Sequence, residues 1–404
     1  MQNSGPQQSG PRHRWTILAL LFAARVGLGF QFQAMGSVGD AVAGRLHLSF
    51  AEVGTLIGLF LAPGLVLAIP AGMAGRHASD RVLVALGLAG LAVGGLLAAT
   101  ADGFTQLALG RLLAGAGFVV STLYMTKMIA DWFAGRELAT AMAILVMSWP
   151  FGIAMGQVGH GWMEAWQGWR WPFVVASGYC LVAALAVLVG YRPPPDRAGP
   201  GGAPSSFRLT GREWALTLIA STVWAAFNAG YVVYLSFAPR VLTSGGLAPL
   251  EAASIVSLAS WVMIVSGAIC GNIADRTGRA DLVLYVCMVG AMASLALMPH
   301  VGWAVPLSLA FGLVGMAPAG VIMALTGAAM APHKRAFGMG VFLSAYFLLT
   351  APAPALAGWI FDRTGDPFLP ILLAVTMFGL TIVANVAFRI AQRALPQETS
   401  ATKE

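Results

Sequence analysis

The chain has 404 residues, 58% hydrophobic and only 10% charged, with a formal net charge of +7 and a mean hydropathy of +0.77. So few charges cannot coat a water-soluble globule of this length, and the apolar residues come in continuous runs, which excludes a soluble domain and the alternating strands of a membrane β-barrel. The expected fold is an all-α membrane protein with twelve transmembrane helices in two six-helix halves.

The polar start, Met1 to Pro11, lacks the basic opening and small-residue cleavage site of a secretory signal and reads as part of a cytoplasmic tail, residues 1–14. The first half covers residues 15–191, with spans at 15–38, 50–72, 82–100, 105–128, 138–162 and 172–191. Arg25 stands midway along span one, in the run Ile17 to Phe30. A guanidinium is permanently charged and costs about 2.5–3.5 kcal/mol at the bilayer centre on insertion scales, so it is expected to face a cavity or a partner. No Asp or Glu lies deep in any apolar run, so an anionic ligand is the inferred partner. At about 100° per residue, Arg25, Gly29, Phe32 and Gly36 share one sector of span one, with Gln33 beside it. A tie to backbone carbonyls is the alternative role for Arg25.

Span two ends in the loop Gly72 to Arg81, with Arg76 and Asp80 as its charges. Span three carries Gly90, Gly94 and Gly95, small residues that let helices approach closely. Arg111, in the phrase Gly110 to Gly117 of span four, is a candidate for substrate contact or for a structural tie to span one. Lys127, at the end of that span, reads as snorkelling to the cytoplasmic surface. Span five carries Trp149-Pro150.

The Pro- and Gly-rich stretch Arg192 to Ser206 cannot continue a helix and marks a cytoplasmic linker, residues 192–213. The second half, residues 214–392, has spans at 214–238, 252–272, 282–299, 303–330, 338–360 and 369–390, followed by a cytoplasmic tail at 393–404. Sliding it onto the first half by 199 positions pairs Trp15 with Trp214, Glu52 with Glu251, Gly72 with Gly271 and Arg136 with Arg335, which argues for an internal duplication with the substrate site between the halves. Asn228, Tyr231 and Tyr234 match positions of span one that include Phe32 and are expected to complete the cavity wall. Trp149, Ser257, Trp261, Ser344 and Tyr346 are further candidates.

Of the 23 Lys and Arg, only Arg45, Arg170, Arg240 and Arg363 fall in the loops of one side. Arg25 and Arg111 lie within spans, and the others flank the termini and the alternate loops. This bias places both termini in the cytoplasm and gives no reason to expect nucleic acid. Cys180, Cys270 and Cys287 lie in apolar helices without ligand spacing, so neither a disulfide framework nor a metal site is expected. No Gly-Lys-Ser/Thr follows the Gly-x-Gly phrases, and His160 and His300 have no partners at catalytic spacing, so neither an ATPase nor an enzyme is expected, and no cofactor.

The loop Gly271-Asn272-Ile273-Ala274-Asp275-Arg276-Thr277-Gly278-Arg279 resembles the cytoplasmic signature of the major facilitator superfamily. Gly358 to Gly365 is a related phrase, and Arg111 to Gly117 resembles the R-x-x-x-G-x-G of the family's fourth span. In the first-half loop Arg76 stands in the usual acidic position and Asp80 in a usually basic one. The run Thr126 to Phe133 and Trp149-Pro150 resemble the cyanate-permease-related bacterial group. The resemblance implies a permease of the bacterial inner membrane in which Gly72, Arg76, Asp80, Gly271, Asp275, Arg276 and Arg279 act as conformational-switch loops. The expected function is secondary active or facilitative transport of a small anion, an organic carboxylate or an inorganic oxyanion, by a monomer working with or without a coupling ion. The alternative is a proton-coupled exporter of drugs or amphipathic compounds, against which span five lacks the G-P-x-x-G-G ending typical of such antiporters.

Overall fold

A computed structural model describes residues 11–74, 78–133, 137–194, 208–331 and 334–395. Arg76, Arg136 and most of the predicted linker lie outside the described residues. The helices are α1 (Pro11–Leu46), α2 (Phe50–Leu59), α3 (Pro63–Ala74), α4 (Asp80–Ala99), α5 (Phe104–Trp132), α6 (Leu138–Gln167), α7 (Arg170–Gly190) and α8 (Gly211–Ser244). They continue with α9 (Pro249–Thr277), α10 (Ala280–Ala296), α11 (Ala304–Val314), α12 (Ala319–Ala329), α13 (Arg335–Thr350), α14 (Ala353–Thr364) and α15 (Phe368–Ala394). Eleven segments are long and apolar enough to cross a bilayer, and α10 is a shorter apolar helix of 17 residues. Among the described residues this is consistent with twelve crossings, which put the start of α1 and the end of α15 at one face, called here the terminal face.

Three crossings predicted as single helices are each built from two. Span two breaks between α2 and α3 ahead of Pro63, whose ring has no N–H to donate and collides with the preceding turn. Span ten breaks at Gly315–Pro318 and span eleven around Pro352. Hydropathy runs unbroken through all three, which is why the breaks do not show in it. Elsewhere the helices outrun the predicted limits: α1 reaches Leu46 rather than 38 and α9 reaches Thr277 rather than 272, where Gly278 caps it in the left-handed region (φ 63°).

Helices α1–α7 pack mainly among themselves, as do α8–α15, and the two sets meet along α2 with α14, α3 with α13, and α6 with α9. Within the first set, α4 and α5 touch backbone to backbone where Gly94 faces Gly110 and Gly87 faces Gly117. A methyl group at any of these would strike a main-chain atom of the facing helix.

The 199-residue offset has a structural counterpart at the terminal face. Arg14 of α1 pairs with Glu137 at 2.8 Å, and Glu213, 199 positions after Arg14, pairs with Lys334 at 2.7 Å. Each first span of a set is thus tied to the start of its fifth span by one ion pair, with the signs exchanged. Trp15 stands edge-on to Phe133 at 5.3 Å, and Trp214 edge-on to Phe337 at 6.4 Å.

Candidate functional site

Arg25 lies near the middle of the 36-residue α1, half-buried. Its Nη1 donates to the Leu145 carbonyl of α6 at 2.7 Å, while its buried Nε has no hydrogen-bond partner. No carboxylate among the described residues pairs with it. The Leu145 carbonyl also accepts from Ser148 Oγ at 2.6 Å, one turn before the ring of Pro150 interrupts the α6 ladder. The glycine of the predicted sector, Gly29, presses against the Trp149 carbonyl, so this face of α1 is its contact with α6 and Arg25 stands at the end of that seam nearer the terminal face. One main-chain bond leaves most of a five-donor fork unspent.

Every side-chain nitrogen of Arg111 has a partner. Its side chain is 1% exposed, with Nε on the Leu56 carbonyl at 3.0 Å, Nη1 on that of Gln31 and Nη2 on that of Phe32, both at 3.2 Å. Its guanidinium carbon lies 4.6 Å from the Phe60 ring centre. The broken span explains the Leu56 contact: the Phe60 N–H turns to the Ile57 carbonyl, and Arg111 takes the carbonyl left over. Of the two roles read for Arg111, this geometry is that of the structural tie, joining α5 to α1 and α2.

The other candidates divide. Phe32, 3% exposed, sits between Phe60 and Trp149, and Trp149 also meets Phe118 at 5.0 Å, an aromatic cluster beside Arg25 on α1 and α6. Trp261 of α9 is partly exposed and stands edge-on to Phe151 of α6 across the two sets, at 5.1 Å. Asn228 is half-buried and donates to the Trp224 carbonyl, and the Trp224 ring meets Tyr346 at 6.3 Å. Tyr231 is buried at the seam between the sets, bonded to Ser260 at 3.0 Å. Tyr234 departs from its expected place on the cavity wall: it is wholly buried inside the second set, on the Val256 carbonyl and against Phe311. Gln33 bonds Ser37 within α1 at 3.2 Å.

The face opposite the termini is sealed by contacts that sequence reading missed. Arg240 of α8 pairs with Asp40 of α1, the one ion pair among the described residues that joins the two sets. Its guanidinium carbon lies 3.7 Å from the ring centre of Phe50, 5.2 Å from Phe361 and 5.4 Å from Phe237. Asp362 of α14 accepts from the Phe50 and Ala51 N–H groups at 2.9 and 2.7 Å, so one set supplies the carboxylate that caps a helix of the other. Gly54 and Gly58 of α2 and Gly358 of α14 let the main chains touch. A Val side chain at Gly358 would fall on the Phe50 carbonyl. The Gly358→Val substitution is expected to disfavour the sealed state by about 1–3 kcal/mol, read in protein with the three native cysteines replaced by Ala as faster labelling of a cysteine placed at Ala357, a buried position of α14, by a membrane-impermeant reagent; unchanged labelling would contradict the seal.

The chain matches the Major Facilitator Superfamily over residues 17–354. The chain belongs to that superfamily. The uncharacterized transporter YycB of Bacillus subtilis is 25% identical over 397 residues, covering 89% of this chain and 90% of the relative. The gallate transporter of Pseudomonas putida is 24% identical over 438 residues, covering 96% and 95%. Among solved structures, a bacterial homolog of the human lysosomal transporter Spinster, inward-facing and unoccupied, superposes with a TM-score of 0.71 at 18% identity, covering 95% of this chain and 98% of that one. That likeness concerns the fold.

In this member of the superfamily the two loops expected to act as conformational switches differ in their charges' partners. Asp80 is not a loop residue: it is the first of α4, 5% exposed, and binds Lys127 Nζ at 2.6 Å, while Lys127 also reaches Asp131 at 3.2 Å. Lys127 therefore braces α5 to α4 rather than simply snorkelling. Gly271, Asp275 and Arg276 continue α9, and Arg279 follows it; the three charged residues are exposed and form no ion pair among the described residues. In that half Asp281 takes Arg389 instead, at 2.9 Å.

Proposed function

We propose that this protein carries a small organic anion across the bacterial inner membrane by alternating access, with both termini in the cytoplasm. The observation that carries this reading is Arg25: a permanent cation in the middle of a membrane span, holding one carbonyl, with a buried unpartnered Nε and no carboxylate of its own. Carrying an anion supplies the missing charge, and the planar fork suits a carboxylate. Similarity over nearly the whole length to a gallate transporter supports an aromatic or aliphatic carboxylate as cargo. The expected placement near cyanate-permease-related proteins rests on the Thr126 to Phe133 run and Trp149-Pro150 alone.

In the working cycle the sealed face is the periplasmic one. Breaking the Asp40–Arg240 pair and parting α2 from α14 opens it, and cargo binding at Arg25 allows the halves to rock because closing water out of the fixed site costs less for a neutralised pair than for the bare cation. The carrier is expected to work as a monomer, driven by a gradient. The test is accumulation in proteoliposomes of purified protein: radiolabelled gallate, tartrate or benzoate is expected to enter faster than into empty liposomes, and a cationic dye is not. Transport of the dye with no carboxylate uptake would replace this reading with an exporter of amphipathic cations.

A further inference from the structure

One group of buried polar atoms is left over once the packing of the spans is described. Gln157 and His160 lie one turn apart on α6, 2% and 0% exposed. Gln157 Oε1 accepts from Ser260 Oγ of α9 at 3.1 Å, and Ser260 shares a hydrogen bond with Tyr231 of α8 at 3.0 Å, so the bonds cross from one six-span set to the other. Gln157 Nε2 has no partner. The His160 ring lies 4.2 Å from that of Phe30 and beside the main chain of Gln33, with neither nitrogen in a well-formed hydrogen bond. Gln33 and Ser37 of α1 close the group, Ser37 Oγ donating to the Gly156 carbonyl at 3.4 Å.

Orphaned polar atoms are costly in a buried site, and Gln157 Nε2 and the two His160 nitrogens, within one turn of α6, are unexplained by packing; Gln157 stands at the line where the halves part, and His160 faces α1 beside it. A neutral imidazole offers one donor and one acceptor, and an amide nitrogen offers donors only. A hydroxyl group, which both gives and receives, completes that set. An inorganic oxyanion, which only receives, leaves the acceptor nitrogen of the ring unpaired. Gln33 stands eight residues beyond Arg25 towards the sealed face, roughly 12 Å along the helix at about 1.5 Å per residue, so the group lies between the cation and the Asp40–Arg240 seal.

We propose that Gln33, Gln157, His160 and Ser260 form a second, uncharged station on the path, closed in this state, which takes the hydroxyl groups of a hydroxylated carboxylate when the sealed face opens. This deepens the anion reading and rests on it for the carboxylate; with roughly 12 Å along α1 between Arg25 and Gln33, a small cargo occupies the two stations in turn. The station makes the carrier select hydroxy acids over their unsubstituted parents.

Two measurements test it. In protein with Cys180, Cys270 and Cys287 replaced by Ala, Gln157→Cys is expected to react with a membrane-impermeant maleimide from the periplasmic side, and faster when the seal is weakened by Asp40→Asn and Arg240→Gln. In titrations of the full chain, gallate is expected to bind about tenfold tighter than benzoate, and tartrate than succinate, one added hydrogen bond being worth roughly that factor. The double variant Gln157→Leu, His160→Phe is expected to lose that preference while keeping the parent acids within about twofold and remaining folded, since Ser260, which loses its Gln157 acceptor, keeps Tyr231. An unreactive Gln157→Cys, or a preference that survives the double variant, overturns the station. A lowered Tm with the preference retained assigns the pair to structure and overturns it equally. A reactive cysteine with no carboxylate bound by the parent protein instead fails the anion reading, and removes the hydroxy acid as occupant.

Discussion

Replacing Arg25 with Gln is expected to abolish carboxylate uptake while leaving the protein folded and inserted. The side chain makes one hydrogen bond to the protein, to Leu145, and Gln can reach for the same carbonyl, so little of the fold depends on the charge. The cargo does depend on it. Losing the cationic partner of a desolvated carboxylate costs about 3 kcal/mol, roughly a hundredfold in affinity. Arg25→Lys keeps the charge as a point donor without the planar fork and is expected to fall between the two. Uptake into proteoliposomes, normalised to reconstituted protein, checks this, and Arg25→Gln with wild-type uptake would contradict it.

Arg111 is expected to give the opposite profile. Arg111→Leu removes three hydrogen bonds to carbonyls of two neighbouring helices from a site that is 1% exposed, and leaves the Leu56 carbonyl at the break of span two without a partner. The loss is expected to be about 3–5 kcal/mol, the scale for breaking a buried charged contact, and to show as a Tm lowered by several degrees and poor yield. The little protein that survives should bind cargo with near-parental affinity. A stable Arg111→Leu protein that has lost binding would move this residue from the scaffold to the substrate site.

The contrast between these two arginines shows what the sequence could and could not convey. Both sit in apolar runs and both lack acidic neighbours along the chain, so sequence marks each as a cation needing a partner. The carbonyls of Leu56, Gln31 and Phe32 that close on Arg111 distinguish them, and continuous hydropathy hides the break in span two that frees the first of these, even though Pro63 stands in plain view. The spans themselves are legible because burial in lipid demands a long apolar run, and the duplication is legible because Trp, Glu and Arg are rare enough there for coincidences to count.

The seal was not legible. Asp40 and Arg240 lie 200 positions apart; Arg240 reads as a loop charge useful only for orientation, and nothing along the chain links Asp40 to it. Tyr234 and Tyr231, three residues apart, look equivalent along the sequence; the packing of α9 and α11 turns one into the core of the second set and leaves the other at the seam. Along the chain His160 has no partner at catalytic spacing, so sequence alone assigns it no role. Its meaning comes from Gln157, Gln33 and Phe30 closing around it in three dimensions.

The claim on which the account turns is that the charge of the cargo and the charge of Arg25 satisfy each other. Calorimetric titration of a carboxylate and of its neutral amide, each into the parent protein and into Arg25→Gln, measures that coupling directly. The carboxylate is expected to bind the parent about a hundredfold tighter than the amide, and the two ligands to bind Arg25→Gln alike. Equal preference for the carboxylate in both proteins would show that some other group neutralises the cargo, and that Arg25 does not.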